Sequence, residues 1–223
     1  MLKDSLTLLQ GYYSYLLMSL YTDNLLKEGK IPHITTPVIY HTTKDTDIQL
    51  NATRINQLIT QIGEQPDEKN VYGYLGYMSG IKGMLGVCMD MTSTSLWWRK
   101  FLQKTMGSQY EAYTHSIRFC RNLLTHQQTP NFQVSRDDLL TQKEYLIRSG
   151  KRIVALSFRY SDLLGDKRTG SSSYGFHITI NTTTLLTKRT LFTIIDQHTL
   201  FMLAESVYNL ASLYQQTLKP WAK

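Results

Sequence analysis

Cysteine is scarce in this sequence. The 223 residues include only Cys88 and Cys120, and neither belongs to a CxxC pair or to a Cys/His cluster with metal-ligand spacing. This scarcity excludes a cysteine-based metal site of the usual kind. Each cysteine lies in an apolar, helix-like stretch, so we expect two buried free thiols in a protein of a reducing compartment.

Charged residues are also few, at 18%, whereas hydrophobic residues make up 42%. This composition excludes a disordered chain and predicts a folded one with its own core. The 24 lysines and arginines exceed the 17 acidic residues, which gives a net charge of +7. A positive excess favours a polyanionic partner such as nucleic acid, but a need for solubility explains it equally well.

The sequence lacks a long uninterrupted hydrophobic run. Its N-terminal stretch has no clear cationic region followed by a small-residue cleavage site. The other apolar candidate, residues 71–91, is interrupted by Lys82 and by five glycines. A charge at the centre of a bilayer is costly, so a membrane span is not expected, although the glycine-rich segment keeps a membrane-associated protein as a remaining alternative. We expect a soluble, cytoplasmic protein.

Several catalytic signatures are absent as well. The sequence contains no GxSxG, no GxxxxGK[ST] and no strand followed by GxGxxG. These absences argue against a serine hydrolase, a P-loop nucleotide-binding protein and a dinucleotide-binding domain. No cofactor and no metal ion are expected.

Apolar residues at helical spacing dominate what is present. The predicted helices cover residues 3–28, 51–62, 71–91, 95–127 with a break at Gly107-Ser108, 136–148 and 197–218. Residues 31–50 are predicted to be an extended connection with one short strand. Alternating β-branched residues predict three strands within about 152–195, the last at 189–195. The fold class is therefore mainly α: a single helical-bundle domain, 1–223, with a small late β insertion before the C-terminal helix.

Four glycines of residues 71–91 lie on one helical face, namely Gly73, Gly76, Gly80 and Gly83. Glycine weakens an isolated helix by up to about 1 kcal/mol relative to alanine. Their alignment therefore predicts that another backbone packs closely against this face.

A polar set interrupts the apolar pattern of residues 110–126. His115, Arg118, Asn122 and His126 follow one another at three- and four-residue steps, so they share a face of the predicted helix. Arg121 is five positions before His126, or about 140° away on a straight helix. It would join this face only if the helix bends or a second subunit completes the site.

The segment RNLLTH, residues 121–126, resembles the HEPN superfamily, whose signature is an arginine, a polar residue and a nearby histidine close to a helix end. The resemblance implies a HEPN-like helical bundle and a metal-independent endoribonuclease, with a role in defence or stress response. It also implies a composite site formed where two motifs meet in a homodimer. By this resemblance Arg121, Asn122 and His126 are catalytic, and we expect His115 and Arg118 to bind substrate. RNA is the expected partner, and DNA is not predicted.

The residue types suit RNA cleavage, because imidazole transfers protons near neutral pH and guanidinium binds phosphate oxygens in a fork. Two other interpretations stay open. Asn122 and His126 can bond the free carbonyls of a helix end, and Arg121 can pair with Glu111 or Asp137. The protein can also be a non-catalytic helical module that binds RNA, a nucleotide or a protein partner.

Overall fold

The structure is a computed structural model that describes residues 2–36, 38–41, 47–64, 71–126, 133–160, 175–188 and 190–218. At several segment ends, His126 among them, only the backbone is described. The chain divides into two compact units, Met1–Ser14 with Met78–Lys223, and Tyr15–Tyr77. The single-domain organisation stays a prediction, and each unit is described by itself.

The fold is mainly helical, as predicted. The helices are α1 (Leu2–Lys27), α2 (Ala52–Gly63), α3 (Val71–Thr94), α4 (Leu96–Met106), α5 (Tyr110–His126), α6 (Arg136–Arg148) and α7 (Gln197–Leu218). The predicted bounds agree with these to within a few residues, because the apolar period and the capping residues specify the same segments.

Local signals at the helix ends act as their chemistry predicts. The Ser95 side chain accepts the Trp98 amide at the start of α4, and the Asp196 carboxylate accepts the Thr199 amide at 2.8 Å at the start of α7. Gly107 has φ +53° and separates α4 from α5, while Gly150 has φ +73° just after α6. Both values lie in the left-handed region that glycine adopts at low cost.

The first two strands are β1 (Val38–His41) and β2 (Asp47–Leu50). The late β element consists of β3 (Ile153–Arg159) and β4 (Gly175–Asn181). β3 and β4 are antiparallel and pair from Ile153 with Asn181 to Arg159 with Gly175. Exposed and buried residues alternate along both strands, so one face of this hairpin packs on α5 and α7.

Two strand predictions were wrong. Residues 31–50 hold two short strands, since β1 and β2 form an antiparallel hairpin. The strand predicted at 189–195 is instead a single helical turn, Leu191–Ile194, preceded by an isolated bridge between Thr190 and Gln133. Thr190 and Thr193 form a capping box there, and that local bonding favours a helical turn over a third strand.

Aliphatic side chains make up most of the core of the larger unit, and several aromatic residues join them. Trp98 and Tyr113 are fully buried, and the Tyr113 hydroxyl lies 2.9 Å from the hydroxyl of Ser206 on α7. Trp97, by contrast, is 71% exposed. The adjacent tryptophans therefore point to different sides of α4, one of them into the core, as expected for neighbouring helical positions.

The glycine face of α3 is closely packed at two of the predicted positions. In the larger unit, a Cβ on Gly83 would lie 2.6 Å from Cγ of the Tyr12 ring. In the smaller unit, a Cβ on Gly76 would lie 2.8 Å from Oγ of Ser19. At these two positions a methyl group would collide with side chains of α1, so close packing against the glycine face is confirmed there, although it is made by side chains and not by a closely approaching backbone. None of the described helices is long and apolar enough to cross a membrane.

Candidate active site on helix α5

Helix α5 is amphipathic, and its apolar side is buried in the larger unit. The side chains of Ile117, Cys120 and Leu124 are at most 3% exposed. The opposite side carries His115, Arg118, Arg121 and Asn122. Of these, Arg118 is exposed, and the other three are half-buried.

The first two polar residues meet one tyrosine of α6. Nδ1 of His115 lies 3.0 Å from the hydroxyl of Tyr145, and the Arg118 guanidinium donates to the same oxygen at 2.9 Å. The Arg118 guanidinium carbon also lies 5.0 Å from the centre of the Tyr145 ring, which is a cation–π geometry. Tyr145 therefore orients both side chains.

Asn122 makes the second link to α6. Its amide nitrogen donates to Oε1 of Gln142 at 3.2 Å, and its Oδ1 accepts a bond from the Arg121 guanidinium at 3.3 Å. Gln142 is 5% exposed, so the amide pair is largely shielded from water. The structure thus brings Arg121 and Asn122 together in one hydrogen-bonded group.

This contact differs from the expected separation of Arg121 from the polar face. Helix α5 runs without a break through residues 110–126, so no bend turns Arg121 toward Asn122. The arginine side chain is long enough to reach its neighbour across the helix surface. The side chain of His126 lies outside the described residues, so its distance to Arg121 stays untested; its backbone forms the last residue of α5.

The positive charge on α5 has no acidic neighbour bonded to it in the described part of the chain. Glu111, one of the two acids considered as a partner for Arg121, forms an ion pair of 2.6 Å with Lys151 instead. That bond lowers the pKa of the Glu111 carboxyl below its ordinary value. The Arg121 guanidinium has one described bond, to a neutral amide, and so keeps donors for an anion.

The environment of His115 favours its neutral form. Burial is the main cause that lowers its pKa, and the positive charges of Lys151 and Arg118 lower it further, while Glu111 acts in the opposite direction. A neutral ring suits a contact with the Tyr145 hydroxyl better than it suits binding a phosphate. This argues that the neutral His115 ring keeps its contact with Tyr145 and contributes no charge to the site.

Thiol chemistry is excluded on this part of the fold. Burial raises the pKa of both Cys88 and Cys120 to about 12, so each stays a neutral thiol, as the sequence predicted for buried cysteines. Among the residues whose placement is described, no three His, Cys, Asp or Glu side chains converge in a way that could hold a metal ion.

Sequence reasoning missed Gln142 and Tyr145. They are three positions apart on α6 and therefore share the face between the buried residues Leu139 and Leu146. Two polar residues on an apolar helical face were the available signal. Their pairing with α5 could not be read from spacing alone.

Comparison with known proteins gives no match: no family model fits the chain, and neither a curated protein nor a solved structure is significantly similar to it.

Proposed function

We propose that this protein is a metal-independent endoribonuclease that acts as a homodimer, with Arg121, Asn122 and His126 in its site. The proposal rests on the resemblance of residues 121–126 to the HEPN motif. One observation supports it most: the Arg121 guanidinium is held by the Asn122 amide at 3.3 Å, and among the described residues no carboxylate neutralises it. A guanidinium held in this way is prepared to bind phosphate oxygens.

Each residue has a separate role in the proposed reaction. His126 removes the proton of the ribose 2′-hydroxyl or protonates the leaving 5′-oxygen. Arg121 stabilises the negative charge that grows on the phosphorus oxygens in the transition state. Asn122 positions Arg121 through its amide oxygen, and Gln142 fixes Asn122 in turn. The second copy of the motif comes from the partner subunit.

Arg118 extends the proposed site by one helical turn. Its guanidinium is exposed, and the ring and hydroxyl of Tyr145 hold it in one orientation. Arg118 and Arg121 both belong to the outer side of α5, where the backbone of a single RNA strand can contact each of them. Such contacts to phosphate strengthen binding without reading the base sequence.

A second candidate function is a non-catalytic RNA-binding module. The contacts of Asn122 with Gln142, and of His115 with Tyr145, favour it because they link α5 to α6 within one chain. Residues that serve such a link need no catalytic role. Both candidates bind the phosphates of RNA, and they differ in whether His126 takes part in cleaving the RNA.

A cleavage assay separates the candidates. The wild-type protein is incubated with mixed single-stranded RNA in EDTA, beside the variants Arg121→Ala and His126→Ala. His177→Ala is the matched control, since His177 is exposed on β4 and its substitution removes an imidazole from a different surface.

We expect cleavage by the wild type and by His177→Ala, and strongly reduced cleavage by the other two. RNA binding without cleavage by the wild type would support the module. Equal cleavage by His126→Ala and wild type would contradict the proposed enzyme.

A further inference from the structure

A cleft of about 240 Å³ opens in the larger unit where α3, α4 and α5 meet. Its lining includes Cys88, Thr92, Ser93, Arg99, Thr114 and Arg118. The two arginines come from different helices, and none of the described residues that line the cleft is acidic. Two like charges that share one cleft repel each other, unless an anion lies between them.

Arg99 brings the first guanidinium to the lining of this cleft. Its Nε is buried from solvent and has no hydrogen-bond partner among the residues that the structure describes. A buried N–H group without an acceptor is costly, and the cost is larger on a charged guanidinium. Because Nε itself is closed to solvent, an anion in the cleft would meet the other N–H groups of the half-buried Arg99 side chain and would reach Nε only if that side chain shifts.

Arg118 brings a second guanidinium that is already oriented. It donates to the Tyr145 hydroxyl through one nitrogen, Nη1. A guanidinium has five N–H donors, so most of those on Arg118 are left for a ligand. Because its orientation is set before binding, little side-chain entropy is lost when an anion is bound.

The rest of the lining is neutral. Burial keeps the Cys88 thiol protonated, with its pKa raised to about 12. The hydroxyls of Thr92 and Ser93 donate to main-chain oxygens of Cys88 and Asp90, and that of Thr114 donates to Tyr110 and Glu111. Positive charge and free donors in this cleft therefore come from the arginines.

We propose that this cleft binds a phosphate group, which Arg99 and Arg118 hold from two sides. A phosphate monoester carries about −1.5 to −2 charges at neutral pH, which balances two guanidinium groups better than a carboxylate does. The volume is below the roughly 300–1,000 Å³ of sites that enclose a drug-sized ligand. The cleft therefore accommodates the phosphate and a few adjoining atoms, while the rest of a phosphorylated molecule stays outside. This site shares Arg118 with the proposed RNA-binding surface but does not depend on RNA cleavage by Arg121 and His126.

Calorimetric titration with inorganic phosphate and with adenosine 5′-monophosphate tests the proposal, at constant ionic strength and with acetate as the comparison anion. Two variants alter the cleft in different ways. Arg99→Gln removes one cation, and Ser93→Glu places a carboxylate in the cleft and leaves both arginines intact. Arg148→Gln is the matched control, because Arg148 is exposed on α6 and outside the cleft.

We expect saturable binding of phosphate that weakens at least about tenfold in both cleft variants and is unchanged in Arg148→Gln. Tighter binding of the nucleotide than of inorganic phosphate would identify a phosphorylated organic molecule as the ligand; equal binding would identify free phosphate. Equal heats with acetate, or wild-type affinity in both Arg99→Gln and Ser93→Glu, would overturn the proposal. Arg121→Ala should bind phosphate as the wild type does, so this inference and the proposed ribonuclease can fail separately.

Discussion

Replacing Asn122 with aspartate separates the structural role of this residue from its role in binding RNA. The substitution keeps the shape of the side chain and places a carboxylate oxygen where Oδ1 now accepts the Arg121 guanidinium at 3.3 Å. The bond to α6 can persist as well, because the Gln142 amide can rotate and donate to the new carboxylate. We therefore expect the free energy of unfolding to change by less than about 1 kcal/mol.

Binding of RNA should respond far more strongly. A phosphate held by Arg121 would lie roughly 5 Å from the new carboxylate. Two like unit charges at ~5 Å repel by about 3 kcal/mol at an effective dielectric constant of ~20. Salt reduces this repulsion, so we expect RNA affinity to fall by at least about tenfold, with cleavage falling too.

The measurement pairs urea unfolding with a filter-binding titration of single-stranded RNA. Asn181→Asp is the matched control, because it changes the net charge by the same amount at a residue of β4 whose Oδ1 accepts bonds from Thr183 and not from Arg121. Asn122→Ala tests the opposite change, because it removes the bond to α6 and adds no charge. It leaves the buried Gln142 carbonyl without its donor, which costs about 1–3 kcal/mol of stability.

RNA affinity of Asn122→Asp equal to that of Asn181→Asp would refute this reasoning, since Arg121 then holds no phosphate. Loss of folding in Asn122→Asp would show instead that the amide group itself is needed between α5 and α6.

Further predictions concern packing and pH. Gly83→Ala should lose about 1–3 kcal/mol of unfolding free energy, because its Cβ would collide with the Tyr12 ring and lie 2.6 Å from the ring's Cγ. Gly86→Ala should gain up to about 1 kcal/mol of unfolding free energy, because a Cβ added at this position has nothing within 4 Å. Equal effects of the two substitutions on urea unfolding would contradict the packing argument. Burial lowers the pKa of His115 below its ordinary value of 6.5, so on acidification this ring is protonated in the unfolded chain before it is protonated in the folded protein. The free energy of unfolding therefore falls as the pH drops below 6.5, and it levels off once the folded state is protonated too. His115→Gln should reduce that loss as the pH falls below 6.5, and an unchanged pH dependence would show that this ring is not its source.

Helices were predicted well because their signals are local. The apolar period, the caps at Ser95 and Asp196 and the breaks at Gly107 and Gly150 all act within a few residues. Residues 189–195 misled the prediction because β-branched residues favour a strand in general. The hydrogen bonds between Thr190 and Thr193 stabilise a helical turn there instead.

The candidate site was predictable only in part, for a related reason. Spacing placed His115, Arg118 and Asn122 on one face of α5, and the structure shows these three in contact with one face of α6. Which residues of α6 they meet depends on how the two helices pack, and a single sequence carries no direct record of that packing. The contact between Arg121 and Asn122 could not be predicted from helical angles alone, because these angles do not account for the length of the arginine side chain.

The most direct test of a site shared between two chains is subunit complementation. Arg121→Ala and His126→Ala, carrying different affinity tags, are co-expressed and the mixed dimers are isolated through both tags. Each variant alone should leave RNA intact in EDTA, whereas the mixed dimer, which retains one arginine and one histidine from different chains, should cleave clearly above either. A mixed dimer as inactive as its parents, or a failure of two chains to associate at high concentration, would contradict the account.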